Sequence, residues 1–367
     1  MTPTDLPPGT GSVLQIDLDA IAANWRDLCA RHTSGPVAAV VKADAYGLGA
    51  GRVVPKLYAA GCRHIFVAHL DEALAIRALA PEAIVAVLDG PIPGSETIYA
   101  AQGIHPVLSS LDQIAAWSAL ARQLDRKLPA FLHIDTGMNR LGLDARELAV
   151  LQQDHARLAG ITLDYIMTHF VSSEVPEDPI NTIQCAGFAH ACAGLPPARR
   201  SLANSSGIFL GPQAASDLAR PGAALYGINP TPGQPNPMRT TVRLLAQVLQ
   251  VRDIPTGARV GYNGVWAATR PSRIATAQIG YADGFHRALS NHGHAFFDAS
   301  PVPLVGRVSM DLTTFDVTDL PMVVPGAWLE LIGPHQPPDA VAAEAGTNGY
   351  EILTSLGARF HRTVIGA

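Results

Sequence analysis

Cysteine is scarce in this chain. Four residues, Cys29, Cys62, Cys185 and Cys192, are spread over 367 positions with no C-x-x-C spacing, which argues against a disulfide scaffold and suits a reducing cytoplasm. Basic charge is not clustered either. With a formal net charge of −5 and no long basic block, neither nucleic acid nor an anionic membrane is an expected partner. No apolar run approaches the ~18–20 residues that cross a bilayer. The opening MTPTDLPPGTGS lacks the basic start and apolar centre of a signal peptide, so residues 1–12 read as a loose tail on a cytoplasmic protein. There is no H-E-x-x-H, no metal-spaced Cys/His cluster and no Walker A motif, and no metal is expected. GLGAG imitates a dinucleotide loop, but Arg52 stands where the third glycine belongs.

What is present describes an ordinary globular protein, 48% hydrophobic and 16% charged, and too long for a single core. Short apolar runs alternate with helical patterns from about Ile16 to about Asn229. Strand candidates fall at 38–42, 64–69, 83–90, 104–110, 130–135, 163–169, 201–206 and, weakly, 218–227. Eight βα units are what a (β/α)8 barrel needs; a doubly wound open sheet also fits the alternation. After the proline-rich NPTPGQPNP the segments alternate apolar and polar residues between Gly/Pro turns, as antiparallel strands do. The expected architecture is α/β: a barrel over 13–238 followed by a mostly antiparallel β domain over 239–367. A late helix, PDAVAAEAG, precedes a closing segment of mixed signals.

In a barrel, chemistry sits at the C-terminal ends of the strands. Lys42, Asp135, His169, Asn204, Ser205 and Arg220 fall there or close by. A lysine at the end of a run of small apolar residues loses hydration, its pKa falls, and an uncharged amine is ready to condense with a carbonyl compound. That is the chemistry of a pyridoxal phosphate (PLP) enzyme. Ser205 and the backbone N–H groups of Gly222 and Ala223 lie around strands seven and eight, where barrels commonly hold phosphate, and Tyr46 offers a further hydroxyl. Each residue alone has a plainer reading. Lys42 could be a solvated rim charge, Ser205 a strand-end cap, Gly222 a turn glycine, and Arg220 an ion-pair partner of Asp217 or Asp135.

Taken in order, AAVVKADAYGLGAG, IDTGMNRLG, MTHF, LANSSG, ARPGAALYG, IGYADGF and GRVSMD resemble the motifs of the bacterial alanine racemases from about Ile16 to about Phe360. The resemblance implies a PLP-dependent racemase with a barrel, a C-terminal β domain and a head-to-tail homodimer with shared sites. It implies that Lys42 carries PLP covalently and acts as one base. Tyr281 of the partner subunit would be the opposite base, with His169 and Arg220 behind it. Arg220 would face the pyridine nitrogen and Arg140 the cofactor's phenolic oxygen. Met310, again from the partner, would bind the substrate carboxylate, and Asp311 would support the site mouth.

Two positions depart from the family pattern. His133 stands where many members have a carbamylated lysine that bridges to the arginine at position 140. Ala358 stands where many have a tyrosine that reaches the phosphate. His69 has no counterpart role and reads as a hydrogen-bonded barrel histidine. A racemase for serine or a broader set of amino acids is an alternative, because one methylene or hydroxyl is worth only ~1–3 kcal/mol in a pocket. A catalytically silent PLP-binding carrier is an alternative of another class; it would need neither Tyr281 nor a β domain.

Overall fold

The computed structural model describes residues 6–366, so residues 1–5 of the expected tail lie outside it. The loose stretch is shorter than expected: Gln247 N–H already bonds the Gly11 carbonyl at 2.8 Å, and a strand opens at Ser12. The first nine strands are β1 (Ser12–Asp17), β2 (Ala39–Val40), β3 (His64–Val67), β4 (Ile84–Val87), β5 (Ile104–Leu108), β6 (Leu128–His133), β7 (Ile161–Met167), β8 (Arg199–Ser201) and β9 (Val242–Ile254).

Strands β2 to β8 form one parallel sheet in sequential order, with no reversal of the kind that defines a doubly wound fold. The eighth barrel strand expected at 218–227 is reduced to two bridges, Leu218 with Ser201 and Ala219 with Val37. Pro221 follows, has no N–H for a ladder, and cuts the strand short. The ring still closes: Ala38 N–H bonds Ala219 O at 2.8 Å, and Val40 N–H bonds Pro221 O at 3.0 Å. Inside it, Phe66, Phe131, Tyr165, Met167, Val107 and Leu218 form a buried plug. Phe131 stacks on Tyr165 with ring centroids 5.3 Å apart and meets Phe66 edge-on at 5.2 Å. The lower barrel is therefore packed, and open space is left only above it, at the strands' C-terminal ends.

Strand β1 falls in the segment expected to form the barrel, yet it pairs elsewhere. It runs antiparallel to β9, Ser12 opposite Ala246, and parallel to His361–Ile365, Val13 opposite His361. The barrel closes with the 218–219 bridges beside β2, which leaves no position for β1 in that ring. Around the long β9 the second sheet adds Ser272–Ala277 and Trp328–Ile332, both antiparallel. PDAVAAEAG is a helix over Pro338–Ala345, closed by Gly346 at φ 71°, and the segment of mixed signals holds a second helix, Gly349–Thr354. Among the described residues no helix is long and apolar enough to cross a membrane.

Candidate active site

A cavity of about 530 Å³ opens above the barrel plug. Lys42, Tyr46, Arg140, His169, Asn204, Ser205, Arg220, Gly222 and Ala223 all line it, so every cofactor-binding residue expected from the sequence is brought to one place.

Lys42 lies two residues past the end of β2, and the chain then does something rare. Ala43, Asp44, Ala45 and Tyr46 all have φ between 52° and 56°, a left-handed turn built without glycine. Such a turn costs roughly 1–2 kcal/mol per residue, so the surroundings must over-determine it. Asp44 Oδ1 accepts the Ala50 N–H at 2.7 Å, and Glu72 Oε1 accepts the Ala43 N–H at 2.5 Å. The turn carries the Tyr46 ring to within 4.6 Å of Tyr226, with its hydroxyl beside Gly222. A Cβ at position 222 would collide with that hydroxyl, so Gly222 is required here. Burial lowers the Lys42 pKa, nearby Arg140 lowers it further, and Asp89 and Glu72 act against them. The net direction is the one an amine nucleophile needs.

Ser205 Oγ accepts the N–H groups of both Gly222 and Ala224 at 3.1 Å, which ties strand-end and loop into one polar cradle. Asn204 Oδ1 accepts from Gly207 N–H and from Ser173 Oγ, each at 2.8 Å.

Arg220 is 4% exposed and donates to Ser201 Oγ and to the Thr168 carbonyl. The ion pair offered as its plainer reading does not form. Asp217 accepts the Arg200 N–H at 2.7 Å, and Asp135 accepts the Gly137 and Met138 N–H groups at 2.9 Å, shaping the loop that bears Arg140. A buried guanidinium without a carboxylate is costly unless a ligand acceptor completes it. Arg140, at the loop tip, forms no hydrogen bond or ion pair with any described residue. His133 lies beneath it, and burial, then Arg220, hold its pKa down to about 4. It is a neutral ring near neutral pH and supplies no anionic bridge to Arg140. His169 is depressed further, to about 3, by burial and then Arg220.

These histidines link stability to pH. At the opposite end of the barrel His64 is also lowered to about 4, by burial first and Arg199 second. All three folded pKa values lie below the ~6.5 of a free imidazole. The unfolded chain therefore binds more protons between about pH 6.5 and 4, and stability falls as pH drops through that window. Denaturant midpoints of the cofactor-free chain should be lower at pH 5 than at pH 7.5, and His133→Asn should flatten the slope. A midpoint that rises on acidification would contradict the assignment.

The remaining expected residues lie elsewhere. Tyr281 and Met310 are 42% and 53% exposed on the β domain, and neither lines the cavity. Their backbones are joined: Tyr281 N–H bonds Ser309 O and Ala282 N–H bonds Met310 O, both at 3.0 Å. Asp311 is engaged by Arg359 at 2.8 Å, and Arg359 also holds buried Asp283 at 2.7 Å, so the segments around 282 and 310 are clamped together. Ala358 is exposed and does not reach the cavity. His69 is no interior histidine; its side chain is 71% exposed and pairs with Asp89 at 3.2 Å.

Sequence reading missed Glu72, Glu174 and Tyr350. Glu72 accepts from the N–H groups of Ala43, Ala68 and His69, caps its own helix and props the turn after Lys42. Its signal was a capping pattern disguised by His69 where serine or threonine is usual. Tyr350 and Glu174 both line the cavity and are hydrogen-bonded to each other.

The family model for the alanine racemase N-terminal domain matches residues 16–230, and that for the C-terminal domain matches 241–364. The alanine racemase of Acidiphilium cryptum is 57% identical over 351 residues, 96% of this chain and 98% of that protein. That of Brucella abortus is 46% identical over 371 residues, 97% of this chain and 94% of that protein. Among solved structures, alanine racemase from Bartonella henselae with covalently bound pyridoxal phosphate has a TM-score of 0.95 at 43% identity, covering 98% of this chain and 100% of that one. Biosynthetic alanine racemase from Pseudomonas aeruginosa has a TM-score of 0.91 at 35% identity, covering 97% and 99%. With both domains matched in order and relatives aligned along nearly the whole length, the chain belongs to the alanine racemase family.

Proposed function

We propose that this protein interconverts L- and D-alanine with PLP, using Lys42 of one chain and Tyr281 of a second copy as bases on opposite faces of the substrate. The residues present fit the cofactor. A 530 Å³ cavity on which several polar side chains converge is of ligand size, position 222 has no room for a side chain, and Arg220 is a buried donor lacking an anionic partner. Ser205, Gly222, Ala223, Asn204 and Tyr46 would hold the phosphate, Arg220 the ring nitrogen, Arg140 the phenolic oxygen and Lys42 the covalent link. When bound, PLP supplies a carbonyl that condenses with the substrate amine and a ring that accepts the electron pair freed at Cα.

The protein's own groups do the rest. Lys42, with its lowered pKa, removes or returns a proton on one face. Arg220, a hydrogen-bond donor with no carboxylate beside it, would meet the ring nitrogen without supplying an acid and so would leave the ring a mild electron sink. His169 sits behind the site as a neutral ring. The carrying observation for the second base is the placement of Tyr281 beside Met310 on one exposed patch outside this chain's own cavity. Tyr262 and Leu312, 66% and 39% exposed, extend that patch. A second copy presenting it would add a base and a backbone N–H for the substrate carboxylate, with Asp311 and Arg359 fixing the segment.

All four cysteines are free thiols, which supports a cytoplasmic location. The relatives bear the name alanine racemase, which favours alanine over the serine and the carrier readings. A chiral assay of the PLP-loaded protein against alanine, serine and longer amino acids tests the substrate. Alanine should give the highest kcat/KM; faster turnover of serine would displace it.

A further inference from the structure

The helix Pro179–Ala193 is rich in alanine and other apolar residues, yet it buries two amides on one face. Asn181 and Gln184, three residues apart, are each 1% exposed. Asn181 donates to the carbonyls of Ser172 at 3.2 Å and Val175 at 2.9 Å and so fixes the loop after β7. Gln184 reaches further. Its Oε1 accepts the Val171 N–H at 2.9 Å, and its Nε2 donates to the His169 carbonyl and to Thr136 Oγ1, both at 3.0 Å. An N–H can only donate and a carbonyl can only accept, so these partners allow the amide one orientation. With both N–H groups and the oxygen used, the buried side chain stiffens what it touches without leaving a polar atom unpaired.

Thr136 opens the loop that bears Arg140. Its hydroxyl is also 2.7 Å from Thr168 Oγ1, and the Thr168 carbonyl accepts from Arg220. Gln184 therefore joins the base of the Arg140 loop to the strand end that carries His169 and supports Arg220. The loop needs such a tie. Gly137, Asn139 and Gly142 have φ of 138°, 55° and 107°, and the bonds of Asp135 to the Gly137 and Met138 N–H groups shape the loop only from within. The same helix adds an apolar contact, since Ile180 lies 3.9 Å from where a Cβ of Gly137 would be. Neither Gln184 nor Thr136 lines the cavity.

We propose that Gln184 is a positioning residue that holds Arg140 at the cofactor's phenolic oxygen, acting through Thr136 and touching neither cofactor nor substrate. The inference rests on the reading that Arg140 meets that oxygen. It assigns to a helix behind the barrel rim the support that neutral His133 does not give Arg140.

The test uses the full chain loaded with PLP and reads the pH midpoint of the bound cofactor's visible absorption. A guanidinium beside the phenolic oxygen disfavours a proton there, so Arg140→Ala should raise that midpoint by about one pH unit. Thr136→Val and Gln184→Leu are close in size to the residues they replace. Each should raise the midpoint by about half a unit or more, because the guanidinium is present but misplaced. Each should also lower kcat/KM for alanine about tenfold, the order of one lost hydrogen bond. Thr136→Ser keeps the hydroxyl and should return both values to those of wild type. The double variant Thr136→Val/Arg140→Ala should titrate as Arg140→Ala does, since the threonine acts through the arginine. Thr136→Val leaves the other bonds of Gln184 intact, so the result stands even where Gln184→Leu does not fold.

A wild-type midpoint in Thr136→Val, whatever its activity, would overturn the role, as would a midpoint in the double variant well above that of Arg140→Ala. An unmoved midpoint in Arg140→Ala itself would instead overturn the placement of Arg140 at the phenolic oxygen, on which the inference stands.

Discussion

Lys42→Ala should cost at least about a thousandfold in turnover of alanine, the scale of losing a positioned base, and more because the covalent anchor is lost with it. Reductive trapping of the loaded wild-type protein with borohydride should place the cofactor's mass on the Lys42 peptide alone. The chain makes the test clean, since it has three lysines, Lys42, Lys56 and Lys127. Lys56 is committed to Asp19 at 2.7 Å and to the Gly366 carbonyl at 2.5 Å. Lys127 is exposed, and neither of the other two lines the cavity. Lys42 alone combines the cavity wall with a lowered pKa. Mass on Lys56 or Lys127 would remove Lys42 from the mechanism.

The second large effect is a recovery of activity. Lys42→Ala and Tyr281→Ala chains should each be inactive on their own, because every site they build lacks one base. In a mixed dimer one site collects both substitutions and the other receives intact Lys42 from one chain and intact Tyr281 from the other. With free exchange at equal amounts half the dimers are mixed and each has one good site in two, so activity should return to about a quarter of the wild-type level. Mild denaturant should assist exchange, and mass spectrometry of differently tagged chains verifies it. The expectation rests on the exposed Tyr281–Met310 patch, which does not line its own chain's cavity. Inactivity after proven exchange, with both variants folded and able to bind PLP, would place Tyr281 outside the catalytic pair.

The βα alternation, the location of Lys42 at a strand end and the change to antiparallel segments after residue 238 were all legible in the sequence. Each is a local pattern: period-2 and period-3.6 hydrophobicity and Gly/Pro punctuation act over a few residues. The motifs that carry the candidate residues were local too, and all nine residues expected to bind the cofactor line one cavity. Other features are properties of the assembled chain. Strand β1 has the same apolar character as the barrel strands, and only closure of the ring by the 218–219 bridges excludes it and sends it to the second sheet. The left-handed hand of Ala43–Tyr46 contradicts the ordinary preference of alanine and tyrosine; it exists because Glu72, Asp44 and the packing of Tyr46 on Tyr226 outweigh that preference. Arg220 looked able to pair with Asp217 or Asp135, and only the folded chain shows both carboxylates occupied by backbone N–H groups. Tyr350 and Glu174 are 176 residues apart, and no periodicity reports a contact of that separation. Sequence determined the elements and the chemically active residue types, since those depend on neighbours along the chain; tertiary structure decided partners, burial and pKa, since those depend on neighbours in space.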